Sequence, residues 1–178
     1  MSQRITLSQR INQLCFGVDV TNQSISIVDS LRSLTQLHYN ADNARNLDII
    51  DNIWTSTPYF TFTESPLPDL KIKEGTIRVK LGWKDSDSIG KVLELNWYAK
   101  FSKNSEAKIY FEKLKQLFEE ATIYKKFEHD KKEGDAAYFT NSNQNDKKKL
   151  LVALFLFKSL ETKKYEVSFS YSNDFMDE

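Results

Sequence analysis

The chain has 178 residues, of which 40% are apolar and only five are Gly and three Pro, a balance typical of a globular domain and not of a disordered chain. Lys and Arg together number 25, as do Asp and Glu, so no net charge would attract the protein to nucleic acid or to an anionic membrane. We therefore expect a single domain, residues 1–178, without a nucleic-acid or membrane partner.

The cysteine content and the apolar runs bear on the compartment. Cys15 is the single cysteine, which excludes an internal disulfide and any metal site built from several cysteines. No stretch approaches the roughly 20 apolar residues that cross a bilayer, and the first residues lack an apolar run of signal-peptide length. We expect a cytoplasmic protein, or a periplasmic or secreted one if a leader has been removed.

The first third of the chain shows helical periodicity. Apolar residues recur at helical spacing over about residues 7–17, which predicts a short helix. A second helix is predicted over about 22–38, with His38 on its apolar stripe. A third is predicted from about 42 to 57, where Pro58 disfavours helix at the preceding residue.

After Pro58 the period changes to the alternation of strands. Aromatic and Thr residues mix over 59–63, which predicts an edge strand. Residues 76–83 and 93–101 each alternate between apolar and polar side chains, with Tyr98 on the polar side of the second run. The polar stretch 84–88 between them predicts a hairpin.

The second half begins with the strongest helical pattern and ends in strands. Apolar residues recur at three-four spacing over about 105–128. Strands are then predicted at 136–140, 150–157 and 165–171, in a meander. The Asn- and Lys-rich stretch 141–149 is predicted to be a mobile hairpin loop.

The strand at 150–157 is apolar at every position, which predicts a central place in the sheet. One of its faces carries Leu150, Val152, Leu154 and Leu156, and the other carries Leu151, Ala153, Phe155 and Phe157. Two interpretations of the second face stay open at this point. It is buried under the N-terminal helices or a second sheet, or it is left open as a docking surface for a partner or a second copy.

The resulting order is ααα-βββ-α-βββ with short connections, which favour antiparallel pairing. We therefore predict an α+β fold, an antiparallel sheet with helices packed on it. The order also fits two similar helix-plus-sheet halves, residues 1–103 and 104–178, although the halves show no residue-by-residue match.

The residues suited to catalysis at neutral pH are few. His38 and His129 are the only histidines. His38 is expected to be structural, because it shares the apolar stripe of the second helix. His129 is expected at a solvated helix end, and Cys15 is expected to act as a small buried hydrophobe.

Known motifs for metals, phosphates and nucleic acids also fail. The stretch from Asp85 begins like a calcium loop, but Ile89 and Asn96 stand where ligands are needed. No glycine-rich phosphate loop or nucleophile elbow is present. The segment 22–38 could mimic a recognition helix, yet Arg32 is its only Arg or Lys. We predict no enzyme activity, no cofactor and no metal, and an enzyme stays open only as a third alternative, which a cleft containing His38 or His129 beside a carboxylate would favour.

Two functional hypotheses remain. The first is a non-enzymatic protein-binding or adaptor module, of the general class that includes secretion chaperones and immunity proteins, with Tyr98, Phe155 and Phe157 as partner-contact residues. A homodimer is left open. The second is a carrier of a small apolar ligand between the long helix and the sheet, lined by aromatic residues. Those aromatic residues are Phe60, Phe62, Trp83, Trp97 and Phe111.

Overall fold

The structure is a computed structural model that describes residues 5–22, 25–41, 46–48, 53–84, 91–122, 124–130, 134–140, 148–160 and 163–175. Its helices are α1 (Leu7–Leu14), α2 (Ser26–Arg32) and α3 (Asn104–Ala121). Its strands before α3 are β1 (His38–Asn40), β2 (Asn46–Asp48), β3 (Ile53–Ser56), β4 (Tyr59–Phe62), β5 (Glu74–Trp83) and β6 (Lys91–Phe101). Those after α3 are β7 (Tyr124–Asp130), β8 (Gly134–Thr140), β9 (Lys148–Lys158) and β10 (Tyr165–Phe175).

The strands of the described segments form one antiparallel sheet of ten strands. Its order is β1-β4-β5-β6-β10-β9-β8-β7, and the short pair β2–β3 joins it through β5. The predicted α+β class with an antiparallel sheet is therefore confirmed. Strands from both sides of residue 103 belong to this one sheet, because β6 pairs with β10.

The three helices pack on one face of the sheet. The longest, α3, places its apolar stripe against β6, β8, β9 and β10. A capping box begins α1, in which Gln9 N–H donates to Thr6 Oγ1 at 3.2 Å and Thr6 N–H donates to Gln9 Oε1 at 2.8 Å. None of the described helices is both long enough and apolar enough to cross a lipid bilayer.

Aromatic rings fill the space between α3 and the sheet. The Trp97 ring stacks on Tyr110 of α3, with centroids 5.8 Å apart, and on Phe169 of β10 at 5.4 Å. Phe118 of α3 contacts Phe139 and Phe169 at 5.4 and 5.7 Å. Aromatic pairs at such distances add to the free energy gained by burying their area.

The second and third predicted helices are wrong over most of their described residues. The helix expected over 22–38 is only α2, and His38 lies in β1 with an exposed side chain, not in the core. The helix expected over 42–57 is replaced in its described parts by β2 and β3. Pairing between distant residues decides this, because β1 pairs with β4 and β3 pairs with β5.

The long helix also ends earlier than its periodicity predicted. It ends at Ala121, and Tyr124–Asp130 forms β7, so His129 belongs to a strand and not to a helix end. Pairing with β8 supplies the backbone hydrogen bonds that a helix would otherwise make. The described order is thus two helices, six strands, α3 and four strands, and the expected ααα-βββ-α-βββ order was wrong.

The two predicted turns fall largely outside the described residues. Residues 85–88 of the first turn and residues 141–147 of the second lie outside them. Lys148 and Lys149 were expected in the second loop but belong to β9, where they pair with β10.

Candidate functional site

The alternation of strands gives the sheet two faces with different surroundings. The helix-covered face is buried and carries residues such as Leu95, Trp97, Phe169 and Leu154. None of the helices that the structure describes lies on the opposite face, which we call the open face. Its central members are Thr76, Arg78, Asn96, Tyr98, Lys100, Glu166, Ser168, Ser170, Ala153, Phe155, Phe157, Ala136 and Tyr138.

The registers bring two of the sequence-predicted contact residues into one row. Tyr98 of β6 stands opposite Ser168 of β10, and Ser168 stands opposite Phe155 of β9. The backbones of Tyr98 and Phe155 are therefore two strand spacings apart, about 10 Å. Phe157 follows in the next row of the same face, opposite Glu166. Tyr98, Phe155 and Phe157 are all half-buried.

Small side chains form a floor between these aromatic residues. Ser168 is 7% exposed, although no described helix covers it. The Phe155 ring contacts Tyr138 of β8 edge-to-face, with centroids 6.0 Å apart. Ala153 stands between Ser170 and Tyr138 in the adjoining row. The open face therefore has a recessed centre with aromatic walls.

Charged groups dominate the other half of the open face, on β5 and β6. The Arg78 guanidinium carbon lies 5.5 Å from the centroid of the Tyr98 ring, within the range of a cation–π contact. Lys100 Nζ donates to Glu74 Oε1 at 3.0 Å. Asn96 Nδ2 donates to Glu94 Oε1 at 2.8 Å. Both signs of charge are present, so this half favours neither a purely basic nor a purely acidic partner.

The environment of Tyr98 keeps its hydroxyl protonated. Burial raises the pKa of Tyr98, the positive charge of Arg78 opposes that rise, and the negative charges of Glu94 and Glu166 add to it. At pH 7 the phenol is neutral, as tyrosine ordinarily is, and it can donate a hydrogen bond with a cation beside its ring. Tyr and Arg are the residue types that most often supply binding energy in protein interfaces.

The described part of β9 has the central position that the sequence predicted and two faces with different burial. The strand lies between β8 and β10, as predicted for a central strand. Val152, Leu154 and Leu156 are buried on the helix-covered face. Phe155 and Phe157 on the second face are half-buried, and none of the described helices covers them.

Sequence reasoning missed Arg78, Tyr138 and Ser168 as members of this surface. The alternation in each strand shows which side chains share a face of that strand. It does not show that β10 lies between β6 and β9, and this order alone brings Ser168 between Tyr98 and Phe155.

Of the residues considered for chemistry, His38 lines an open cleft of about 510 Å³ together with Lys73 and Glu74. The side chain of His38 is exposed in β1. The structure describes the backbone of His129 in β7 but not its side chain. Cys15 is fully buried, and burial raises the pKa of its thiol, as expected for a small core residue. Within the described ranges, no three His, Cys, Asp or Glu side chains gather to form a metal site. The loop of Asp85 and Ile89 lies outside those ranges.

The aromatic residues proposed to line a ligand cavity mostly form the core. Phe60, Phe62, Trp97 and Phe111 are at most 3% exposed, and Trp83 packs against the same core. An open cleft of about 440 Å³ lies beside this core, at the N-terminal half of α3. Its apolar lining is Leu70, Ile72, Phe101, Ile109 and Tyr110.

No family model matches this sequence, and neither a curated protein nor a solved structure is significantly similar to it.

Proposed function

We propose that this protein is a non-enzymatic protein-binding module that docks a folded partner on the open face of its sheet. One observation carries the proposal, namely that aromatic side chains stand half-buried on a sheet face that no described helix covers. Tyr98, Phe155, Phe157 and Tyr138 are these side chains. Apolar patches of this kind on single domains usually mark interaction sites.

The size of the face suits a protein partner. The strands β5, β6, β9 and β10 are 10 or 11 residues long, and β8 has 7. At about 3.3 Å per residue and about 4.8 Å between strands, the five strands present about 790 Å². A stable interface needs about 800 Å² from each partner.

The chemistry of the face suits a partner with an apolar centre and mixed charges at its rim. Phe155 and Phe157 offer apolar area, and Arg78 and Lys100 lie toward the polar side with Glu74. Binding energy in such interfaces concentrates in central aromatic residues, while rim charges set orientation and rate of association. We therefore assign the anchoring role to Tyr98 and Phe155.

Differential capture of partners tests this proposal. The wild type, Phe155→Ser and Ile109→Ser serve as baits in native pull-downs followed by mass spectrometry. Ile109 is 60% exposed on α3, on the helix side of the sheet, so its replacement by Ser is a matched control. We expect Phe155→Ser to lose a partner that Ile109→Ser retains, with both variants folded by circular dichroism.

A second open-face variant keeps the test decisive if Phe155→Ser fails to fold. Tyr98→Ala removes the other anchor and should lose the same partner. A partner retained by both folded open-face variants would rule out the open face as its docking site.

A carrier of a small apolar ligand is the second candidate, favoured by the cleft of about 440 Å³ beside α3. Ligand pockets commonly measure about 300–1,000 Å³. Native mass spectrometry of the purified chain distinguishes the two functions. A bound small molecule that is lost in Ile109→Glu but retained in Phe155→Ser would favour the carrier.

A further inference from the structure

The strand β7 forms one end of the sheet. It is last in the strand order, and no other described strand pairs with its outer edge. Lys125, Lys126, Phe127 and Glu128 are consecutive residues of β7, and all four are exposed. A strand edge of this kind presents backbone N–H and C=O groups that can pair with another strand.

We propose that β7 pairs antiparallel with β7 of a second copy of this chain, so that the two sheets join across a two-fold axis at Phe127. This inference uses a different surface from the proposed docking function and stands independently of it. We identify the partner strand by its charges, because the charges of β7 are complementary to those of a second β7 that runs in the opposite direction.

Lys126 and Glu128 give β7 its self-complementary charges. They precede and follow Phe127, so their two side chains share the face of the strand opposite to that of Phe127. Within the strand, Lys126 Nζ lies 2.5 Å from Glu128 Oε1. In an antiparallel pair centred on Phe127, Lys126 stands opposite Glu128 of the second copy, and Glu128 stands opposite its Lys126. The four charges alternate in sign around a square, whereas like charges placed directly opposite each other are unfavourable.

Phe127 supplies the apolar contact at the proposed axis. It is 45% exposed, its ring lies 6.2 Å from Phe139, and the Lys115 ammonium lies 4.7 Å from its centroid. Directly opposite residues of an antiparallel pair project to the same face. The two Phe127 rings would thus meet on the helix side and remove apolar surface from water.

The same geometry has a consequence for the open face. Because the two-fold axis is perpendicular to the joined sheet, the open faces of both copies lie on one side. The dimer therefore presents two sets of Tyr98 and Phe155 to the same side, which would let it bind a two-fold symmetric partner through both.

Charge-reversal variants of the full chain test the pairing by sedimentation velocity between about 1 and 100 µM, the range of weak association. We expect the wild type to dimerise. Lys126→Glu places four negative charges at the axis and Glu128→Lys places four positive ones, and each should raise the dimer dissociation constant at least about tenfold. Lys113→Glu, on the exposed side of α3, controls for the change in net charge.

Mixing the two defective variants makes the test specific. Each Lys126→Glu chain is complementary to a Glu128→Lys chain, so an equimolar mixture of differently labelled chains should form heterodimers detected by energy transfer. The double variant Lys126→Glu/Glu128→Lys should recover self-association. A wild type that stays monomeric throughout, or single variants that dimerise as tightly as it does, would overturn the proposal.

Discussion

Trp97 and Tyr98 are neighbours in β6, yet their side chains occupy two different environments. Trp97 is fully buried between Tyr110 and Phe169 on the helix-covered face. Tyr98 is half-buried on the open face beside Arg78. The first environment is completed by α3, whereas the second has aromatic walls that none of the described helices covers. Large aromatic residues on the two faces therefore differ in their surroundings, and we propose that those of the covered face serve stability and those of the open face serve recognition.

The largest expected effect comes from emptying the helix-covered face. Trp97→Ala should lower the free energy of unfolding by about 3–5 kcal/mol, because it leaves a cavity between α3 and the sheet. In a chain of this size the melting temperature should fall by about 10 °C. Urea denaturation followed by circular dichroism measures the change.

Tyr98→Ala is the matched control one residue away. We expect it to cost much less, about 1 kcal/mol, since the side chain of Tyr98 is already partly exposed to water. Equal losses of unfolding free energy for the two variants would mean that both faces belong to the folding core. That result would contradict the proposed difference between Trp97 and Tyr98.

Overpacking the helix-covered face should have the next largest effect. A Cβ atom at Gly75 would lie 2.1 Å from Cε2 and Cζ of Phe62, whose ring already contacts Phe16 at 5.1 Å and Trp97 at 5.8 Å. The ring cannot move aside without disturbing those contacts. Gly75→Ala should therefore cost about 1–3 kcal/mol in unfolding free energy.

Ser170→Ala tests the open face as the counterpart of this substitution. It removes an oxygen from a half-buried position and adds no atom to a packed region. Its denaturation midpoint should stay close to that of the wild type. A midpoint for Gly75→Ala that is also unchanged would show that the covered face tolerates extra volume.

A smaller effect is expected where the N-terminal segment joins the sheet. The Tyr171 hydroxyl is buried and donates a hydrogen bond to the backbone carbonyl of Val20. Tyr171→Phe keeps the ring and removes this bond, which should cost about 1 kcal/mol at pH 7. Denaturant titration of the variant and the wild type measures it, and an unchanged free energy would show that water satisfies Val20 equally well.

The same residue gives a pH dependence of defined sign. Burial raises the pKa of Tyr171, with a further rise from Cys15 and Asp19, and burial also raises the pKa of Tyr110. In the unfolded chain both tyrosines ionise near pH 10. The folded state favours the protonated form, so this contribution to stability is complete below about pH 10 and is lost as the pH rises further.

Urea unfolding at pH 8 and at about pH 11 should show this loss. Tyr171→Phe has one fewer such group, so its midpoint should fall less between the two pH values than that of the wild type. A larger fall in the variant would contradict the assignment.

The correctly predicted elements are those with sustained local periodicity. The alternation over 76–83 and 93–101 was found close to its expected bounds, and the three-four pattern correctly placed the start of α3 near residue 105, although the helix ends at Ala121. Alternation also placed Tyr98 on the polar side of its strand, and the apolar run at 150–157 correctly indicated a central strand. In these segments the local pattern and the tertiary contacts require the same conformation.

The errors fall where pairing between distant residues overrides the local pattern. Ile53 and Trp54 follow apolar residues at helical spacing, yet β3 places Trp54 opposite Trp83 of β5. In the same way, the helical pattern of α3 was extended into β7, although the residues of β7 pair with β8. The open face depends on the strand order β6-β10-β9. No single segment of the sequence encodes this order, so the recessed floor could not be predicted from the sequence.

The smallest expected effect concerns His38, which the helical interpretation had placed in the core. In the structure His38 pairs with Thr61 at the β1 edge of the sheet, and its side chain is exposed. The row that begins with this pair continues through Thr76 to Tyr98, so His38 lies at the margin of the open face. His38→Gln should change the free energy of unfolding by less than about 0.5 kcal/mol, because an exposed side chain away from packed contacts contributes little. Leu37→Ala, at a neighbouring position that is 7% exposed, is the contrasting control and should be clearly destabilised. His38→Gln could instead lower the free energy of unfolding as much as Leu37→Ala. The margin of the open face would then contribute to stability as the core does, and the two faces would not differ at β1.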